Sequence, residues 1–124
     1  MGSLETTYDL AKGLTTVKVE GKVMAKNLAN WLNRYYSGKV TELILWDLTE
    51  ADMADVPVDD LRELAKEASK RADLRKNGKS AFVFSRDVGF GLGRMFEILS
   101  ETEGTPLEYR SFLDINEARE WLGV

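Results

Sequence analysis

Neither cysteine nor histidine occurs among the 124 residues of this sequence. Without cysteine the chain has no disulfide bond, no thiolate nucleophile and no zinc–thiolate site. Without histidine it has no Ser-His-Asp triad and no histidine general base. Catalysis would depend on Asp, Glu, Lys, Tyr or Arg alone, so we expect a protein that is not an enzyme. The lack of cysteine also fits a reducing compartment, and we expect a cytoplasmic location.

Long apolar runs and an excess of positive charge are absent as well. No segment approaches the roughly 20 apolar residues that cross a bilayer, and the N-terminus lacks the pattern of a signal peptide. The formal net charge of −4 argues against nucleic acid as the main partner. With 44% hydrophobic and 31% charged residues, residues 1–124 suit a single globular domain. We expect no bound cofactor and no metal.

Hydrophobic periodicity predicts nine elements in the order β-β-α-β-α-β-α-β-α. An alternating segment at 6–10 and a segment at 14–20 that is rich in β-branched residues, joined through Lys12-Gly13, predict an antiparallel hairpin. Apolar segments at 40–48, 81–84 and 107–113 predict three further strands, and Asn77-Gly78 predicts a turn. Strands that alternate with helices need crossovers, so the later strands should be parallel. The sequence thus predicts an α/β domain with a mixed five-stranded sheet and four helices.

The segment 85–94 is the strongest candidate for a functional site, because it carries three glycines and two arginines where a predicted strand turns into a predicted helix. Its candidate binding residues are Arg86, Gly89, Phe90, Gly91, Gly93 and Arg94. Free backbone N–H groups at a helix start, beside two arginines, would bind an anion or an acidic partner. The glycine spacing matches neither the dinucleotide fingerprint nor a P-loop. We favour a steric interpretation, in which glycine lets the helix lie close to the sheet or adopt positive φ.

Phe90, between two of these glycines, has two interpretations. The ring could pack onto the helix that follows as a staple. It could instead anchor a partner, because aromatic residues are common hot spots of interfaces. The packing interpretation is favoured.

Acidic residues follow the strand predicted at 40–48. They are Asp47, Glu50, Asp52 and Asp55. Carboxylates could hold a hard cation, but the spacing is not that of an EF-hand, and a solvated loop is favoured. We expect Asp47 and Thr49 to share one sheet edge with the segment 85–94, because both follow parallel strands at their carboxyl ends, where open α/β sheets bind ligands.

Two further features suggest surfaces. A basic run occupies the end of the second predicted helix and could touch an anionic membrane, but a solvated helix end explains it without further assumptions and is favoured. Its members are Lys66, Lys70, Arg71, Arg75, Lys76 and Lys79. Tyr35-Tyr36 should place at least one ring outward, which indicates a contact surface such as a homodimer interface.

Three segments of this chain resemble the STAS domain (sulfate transporter and anti-sigma-factor antagonist), most closely its SpoIIAA-like branch. They are Leu45-Trp46-Asp47-Leu48, Phe90-Gly91-Leu92-Gly93-Arg94-Met95-Phe96, and Phe112-Leu113-Asp114 with Glu117-Ala118 and Trp121-Leu122. The resemblance spans essentially the whole chain and implies a layer of four helices on a mixed sheet. Better-known family members are protein-binding switches of bacterial regulation or cytoplasmic parts of anion transporters.

The switch members carry a phosphorylated serine in an Asp-Ser-Ser/Thr-Gly stretch, after the central strand. Here residues 55–59 read Asp-Val-Pro-Val-Asp, and the nearest hydroxyl, Thr49, comes too early. The resemblance therefore implies a non-catalytic binding or regulatory interaction module without that serine, with a protein partner or a small anionic or amphipathic ligand. The alternative it implies is a domain for a small amphipathic, lipid-like ligand, because this branch is grouped with Sec14-like domains. An apolar cavity would favour the alternative, although 124 residues leave little room for a lipid.

Overall fold

The nine predicted elements form in the predicted order. The computed structural model describes residues 2–76 and 78–124, so Asn77 of the predicted turn lies outside the described residues. The elements are β1 (Ser3–Asp9), β2 (Leu14–Lys22), α1 (Ala25–Ser37), β3 (Leu43–Asp52), α2 (Val58–Lys70), β4 (Lys79–Val83), α3 (Asp87–Thr102), β5 (Glu108–Phe112) and α4 (Ile115–Leu122). A short 3-10 helix, Ala72–Arg75, follows α2 and was not predicted.

The strands lie side by side in chain order, β1-β2-β3-β4-β5. β1 is antiparallel to β2, and the other neighbours are parallel, which confirms the mixed sheet and its N-terminal hairpin. Crossovers between parallel strands are almost always right-handed. Since each crossover from β2 to β5 advances in the same direction, α1, α2 and α3 must all lie on one face of the sheet. Only α4, after the last strand, is left to cover the other face.

Each face of the sheet has its own core, because side chains alternate along each strand. Ile44 and Phe82 point toward α1–α3 and pack in one cluster with Trp31 of α1. Their neighbours Leu45 and Val83 point the other way and pack against α4. The expected single layer of four helices is therefore wrong, because the helices divide three to one.

Local signals fix both ends of α4. The Asp114 carboxylate caps its start by accepting a hydrogen bond from the backbone N–H of Asn116 at 2.7 Å. Gly123 ends it with a φ of +82°, a conformation that favours glycine. Among the described residues α4 is the only helix on this face of the sheet, and these caps stabilise it.

Candidate functional site

The predicted glycine junction is part of a helix rather than a loop. α3 begins at Asp87, so the three glycines lie within its first two turns, and the Phe90 N–H donates to the Arg86 carbonyl oxygen at 3.1 Å. Only the first N–H groups of the helix lack a helical partner. The Asp87 carboxylate belongs to that same first turn and already complements the positive end of the helix dipole. This arrangement disfavours an anion there.

Two of the three glycines lie directly against the sheet. A Cβ on Gly89 would stand 2.7 Å from Cδ1 of Phe84, and one on Gly93 would stand 2.9 Å from Cζ of the same ring. Gly91 faces the opposite side, with nothing within 4 Å of its Cβ position. None of the three has a positive φ. Gly89 and Gly93 therefore agree with the steric interpretation, because each lies in close contact with the Phe84 ring. Gly91 does not, because nothing lies near it.

The other candidate residues of this segment differ in their contacts. The Phe90 ring is partly buried and packs against the core under α1–α3, which agrees with the packing interpretation. Arg94 is exposed and lies 3.7 Å from the Glu97 carboxylate. The Arg86 side chain is exposed and makes no hydrogen bond or salt bridge within residues 2–76 and 78–124. Of the two arginines, Arg86 is the one available to a partner.

The carboxyl ends of β3 and β4 meet as expected. The Ser85 hydroxyl donates to the Thr49 carbonyl oxygen at 2.7 Å. The Asp47 carboxylate accepts hydrogen bonds from the Thr49 hydroxyl at 2.6 Å and the Thr49 N–H at 3.1 Å. Asp47 and Thr49 therefore satisfy each other, which leaves less hydrogen-bonding capacity for a ligand.

The expected acidic loop is wrong in position. Asp47, Glu50 and Asp52 all belong to β3, and only Asp55 lies in the loop that follows. Asp55 pairs with Lys22 at 2.6 Å, and this hydrogen bond raises the pKa of Lys22. In the part of the chain that the structure describes, no three acidic side chains converge on one point that could hold a metal.

A cavity of about 90 Å³ lies between the sheet and α1–α3. Apolar side chains form most of its wall, among them Trp46 and Phe82 from the sheet and Leu64, Leu92 and Phe96 from the helices. Trp46 and the three helical side chains are partly exposed, so the cavity communicates with solvent. An engineered apolar cavity of about 150 Å³ admits benzene, so this one suits a molecule no larger than benzene.

One end of the cavity is polar. Arg75, Ser80, Tyr36 and Tyr109 line the cavity there, near the amino ends of β4 and β5. This is the edge opposite to the one where the sequence placed the site, because the 3-10 helix returns the chain to the amino end of β4.

Arg75 is the buried charge of this polar end, with only 1% of its surface exposed. Its guanidinium donates four hydrogen bonds to neutral oxygens. The acceptors are the carbonyl oxygens of Thr41 (3.1 Å), Glu42 (2.8 Å) and Lys79 (2.9 Å), and the Ser80 hydroxyl (2.9 Å). Among the described residues Arg75 forms no salt bridge. The prediction of a solvated basic run is therefore wrong for this residue.

The sequence does contain a signal for this burial. The buried residues of α2 and the 3-10 helix recur at intervals of three and four along one stripe. They are Leu61, Ala65, Ala68, Ala72 and Arg75. That spacing is typical of one helix face that points into a core. This spacing did not lead to a prediction of burial for Arg75, because arginine is seldom fully buried.

Tyrosines surround the guanidinium. The hydroxyl of Tyr35 bonds to the Thr41 backbone, and this ring is buried, whereas Tyr36 is partly buried and lines the cavity. Tyr35 therefore offers no contact surface, whereas Tyr36 is partly exposed and the homodimer stays a prediction. Burial raises the pKa of both Tyr36 and Tyr109, and the Arg75 charge acts in the opposite direction. Both phenols are neutral hydrogen-bond donors at neutral pH.

Comparison with known proteins bears on the fold. No family model and no curated protein matches the chain. The chain is similar to the crystal structure of an uncharacterized protein from the DUF3478 family, with a SpoIIAA-like fold, from Shewanella loihica PV-4. The two share 18% sequence identity with a TM-score of 0.58, over 98% of this chain and 93% of the other. This chain therefore has a SpoIIAA-like fold, as its three segments predicted. Within the described ranges, no helix has the length and apolarity to span a membrane.

Proposed function

We propose that this protein is a non-catalytic binding module whose ligand is a small amphipathic molecule, held in the cavity between the sheet and α1–α3. The observation that carries the proposal is the cavity itself, which is apolar over most of its wall and polar at one end. Ligand sites are typically concave and mostly apolar, with a few polar groups that orient the ligand. Of the two alternatives that the sequence left open, the cavity supports the amphipathic ligand.

The chemistry of the cavity supports binding rather than catalysis. Its polar end offers a guanidinium, phenols and a serine hydroxyl, and no carboxylate lines the cavity to act as a base. The Asp47 carboxylate, on β3, is occupied by Thr49. An activated nucleophile needs an adjacent base, and the Ser80 hydroxyl instead accepts a hydrogen bond from Arg75.

The size of the cavity limits the ligand to a small molecule. At about 90 Å³ the space is smaller than one that holds benzene. A long acyl chain would require α1–α3 to move away from the sheet. We therefore propose a short amphipathic molecule rather than an intact phospholipid.

Regulation of this module would come from ligand occupancy. The N-terminal turn of α2, where switch members of the STAS family carry their serine, starts at Val58 after Pro57 and has no hydroxyl group. A ligand between the sheet and α2 would alter the packing of that helix directly.

The proposal is tested by titrating the wild-type protein with a neutral probe, 1-butanol, and following ¹H–¹⁵N NMR shifts. We expect saturable shifts at residues lining the cavity. Ala68, which is buried and lines the cavity, is the position for blocking it. Ala68→Leu should weaken binding about tenfold, or 1.4 kcal/mol.

The matched control is Ala54→Leu, at an exposed position outside the cavity. It adds the same atoms and should leave the affinity unchanged. Shifts scattered over the surface, or equal weakening by both variants, would contradict the proposed function.

A protein partner on the outer side of α3 is the second candidate. Three apolar side chains project there into solvent, Val88 (69% exposed), Met95 (38%) and Ile98 (59%), and the open glycine Gly91 lies on the same helix. Ile98→Ser and Arg86→Ala should abolish recovery of a specific partner in pull-downs from the native host. Unchanged recovery with both variants would exclude this surface.

A further inference from the structure

Arg75 lines the cavity and has one N–H that its four hydrogen bonds do not use. A guanidinium has five N–H groups. The bonds to Thr41, Glu42, Lys79 and Ser80 use one hydrogen on Nε, one on Nη1 and two on Nη2. The second hydrogen of Nη1 takes part in none of these four bonds, and the Tyr36 hydroxyl also lies close to the guanidinium. The hydroxyl of Tyr109, which lines the same cavity, makes no hydrogen bond within residues 2–76 and 78–124.

The charge of Arg75 is not neutralised by the chain that surrounds it. Burying a cation without a counter-ion is costly, and hydrogen bonds to neutral groups offset only part of that cost. All four acceptors of Arg75 are neutral, and the phenols nearby are neutral as well. The polar end of the cavity therefore combines a positive charge with unused donors.

We propose that the cavity binds a short-chain monocarboxylate, whose carboxylate accepts hydrogen bonds from Nη1 of Arg75 and the hydroxyl of Tyr109. The alkyl tail lies along the apolar wall, against Phe82 and Phe96. The guanidinium supplies the positive charge and one N–H, and a hydrogen bond between a cation and a carboxylate is stronger than one between neutral groups. This inference rests on the proposed function and names the chemical class of its ligand.

The apolar wall of the cavity favours a short-chain monocarboxylate over inorganic anions. Inorganic phosphate or sulfate would leave the apolar wall uncovered and would bring two charges to a single cation. A three-carbon tail on a carboxylate gives as many non-hydrogen atoms as benzene has, which is the upper limit for this space. Butyrate is therefore the probe of choice.

The test uses the wild-type protein and three probes of similar size: butyrate, butyramide and 1-butanol. We expect butyrate to bind about tenfold more tightly than either neutral probe, the scale of a hydrogen bond to a charged group. The shifts should be largest at the Arg75 Nε–H and at Ser80. Acetate, which lacks most of the tail, should bind more weakly than butyrate.

The outcomes separate this inference from the proposed function. If butyrate and 1-butanol bind equally, the carboxylate specificity is wrong while the binding module stands. If no probe binds at the cavity, both fail. If acetate binds as tightly as butyrate, the apolar wall has no role, and the ligand class is wrong.

A variant tests the position of the carboxylate without disturbing the four hydrogen bonds of Arg75. Tyr109→Phe should weaken butyrate binding severalfold and leave 1-butanol binding unchanged. Tyr8→Phe, at an exposed tyrosine of β1 outside the cavity, is the matched control and should change neither. Unchanged butyrate affinity in Tyr109→Phe would overturn the proposed placement.

Discussion

Gly93 of α3 rests on the ring of Phe84, which follows β4, so closely that a Cβ at position 93 would stand 2.9 Å from Cζ of that ring. Gly89, one helical turn earlier, rests on the same ring. The two glycines seat the start of α3 on the sheet, whereas Gly91 faces open space. One glycine pattern in the sequence therefore contains two different physical roles, and substitution by alanine separates them.

Gly93→Ala should destabilise the protein, and Gly91→Ala should stabilise it. The methyl group at 93 meets Phe84 and the Ser111 hydroxyl, and overpacking of this kind costs about 1–3 kcal/mol. At 91 the methyl group meets nothing, and alanine in a helix is more stable than glycine by about 0.5–1 kcal/mol. Urea denaturation of both variants measures the difference. Equal effects on the free energy of unfolding would contradict the distinction.

Phe90→Ala should lower the free energy of unfolding by about 1–3 kcal/mol, because it removes part of the packing against the core. Arg86→Ala, four residues earlier and exposed, should stay within about 0.5 kcal/mol of the wild type. Thermal and urea unfolding of the two variants provide the comparison. If Phe90→Ala were as stable as Arg86→Ala, the ring would be free to serve as a partner anchor.

Arg75→Met should destabilise the protein by about 3 kcal/mol, because it deletes four buried hydrogen bonds from a charged donor. These bonds tie the 3-10 helix to the amino ends of β3 and β4. Arg86→Met changes the same atoms at the surface and should have little effect. If Arg75→Met had the same midpoint of denaturation as the wild type, these bonds would make no net contribution to stability.

Alkaline pH should destabilise the folded state partly through Tyr109. Burial raises the pKa of this phenol above its unfolded value of about 10. The unfolded chain therefore loses a proton at a pH where the folded chain keeps it, and stability falls as pH rises above about 10. The slope from one such group is up to about 1.4 kcal/mol per pH unit.

Urea denaturation at a series of alkaline pH values checks this expectation. Tyr109→Phe should show a shallower loss of stability above about pH 10, whereas Tyr8→Phe, whose ring is 42% exposed, should match the wild type. Parallel curves for all three proteins would show that the Tyr109 phenol does not keep its proton on folding.

The order of elements, the mixed sheet and the ends of α4 follow from signals within the sequence. These features depend on local chemistry, namely two-residue alternation in strands, helical spacing in α2, and capping by Asp114 and Gly123. The strand order, which only the structure gives, then places α1–α3 on one face, because connections between parallel strands are right-handed. The resemblance of three short segments to the SpoIIAA-like branch also predicted the fold, which the structural comparison confirms.

The position of the cavity and the charged residue that lines it could not be predicted from the sequence, because both depend on contacts between distant parts of the chain. Arg75 looked like one member of a solvated basic run, yet the 3-10 helix after α2 turns it under the sheet edge, where four neutral oxygens accept its hydrogen bonds. Those acceptors come from residues up to 34 positions away, so no local pattern encodes the contact. For the same reason the glycines of α3 could be counted in the sequence, but the surface that each one faces depends on how the helix rests on Phe84.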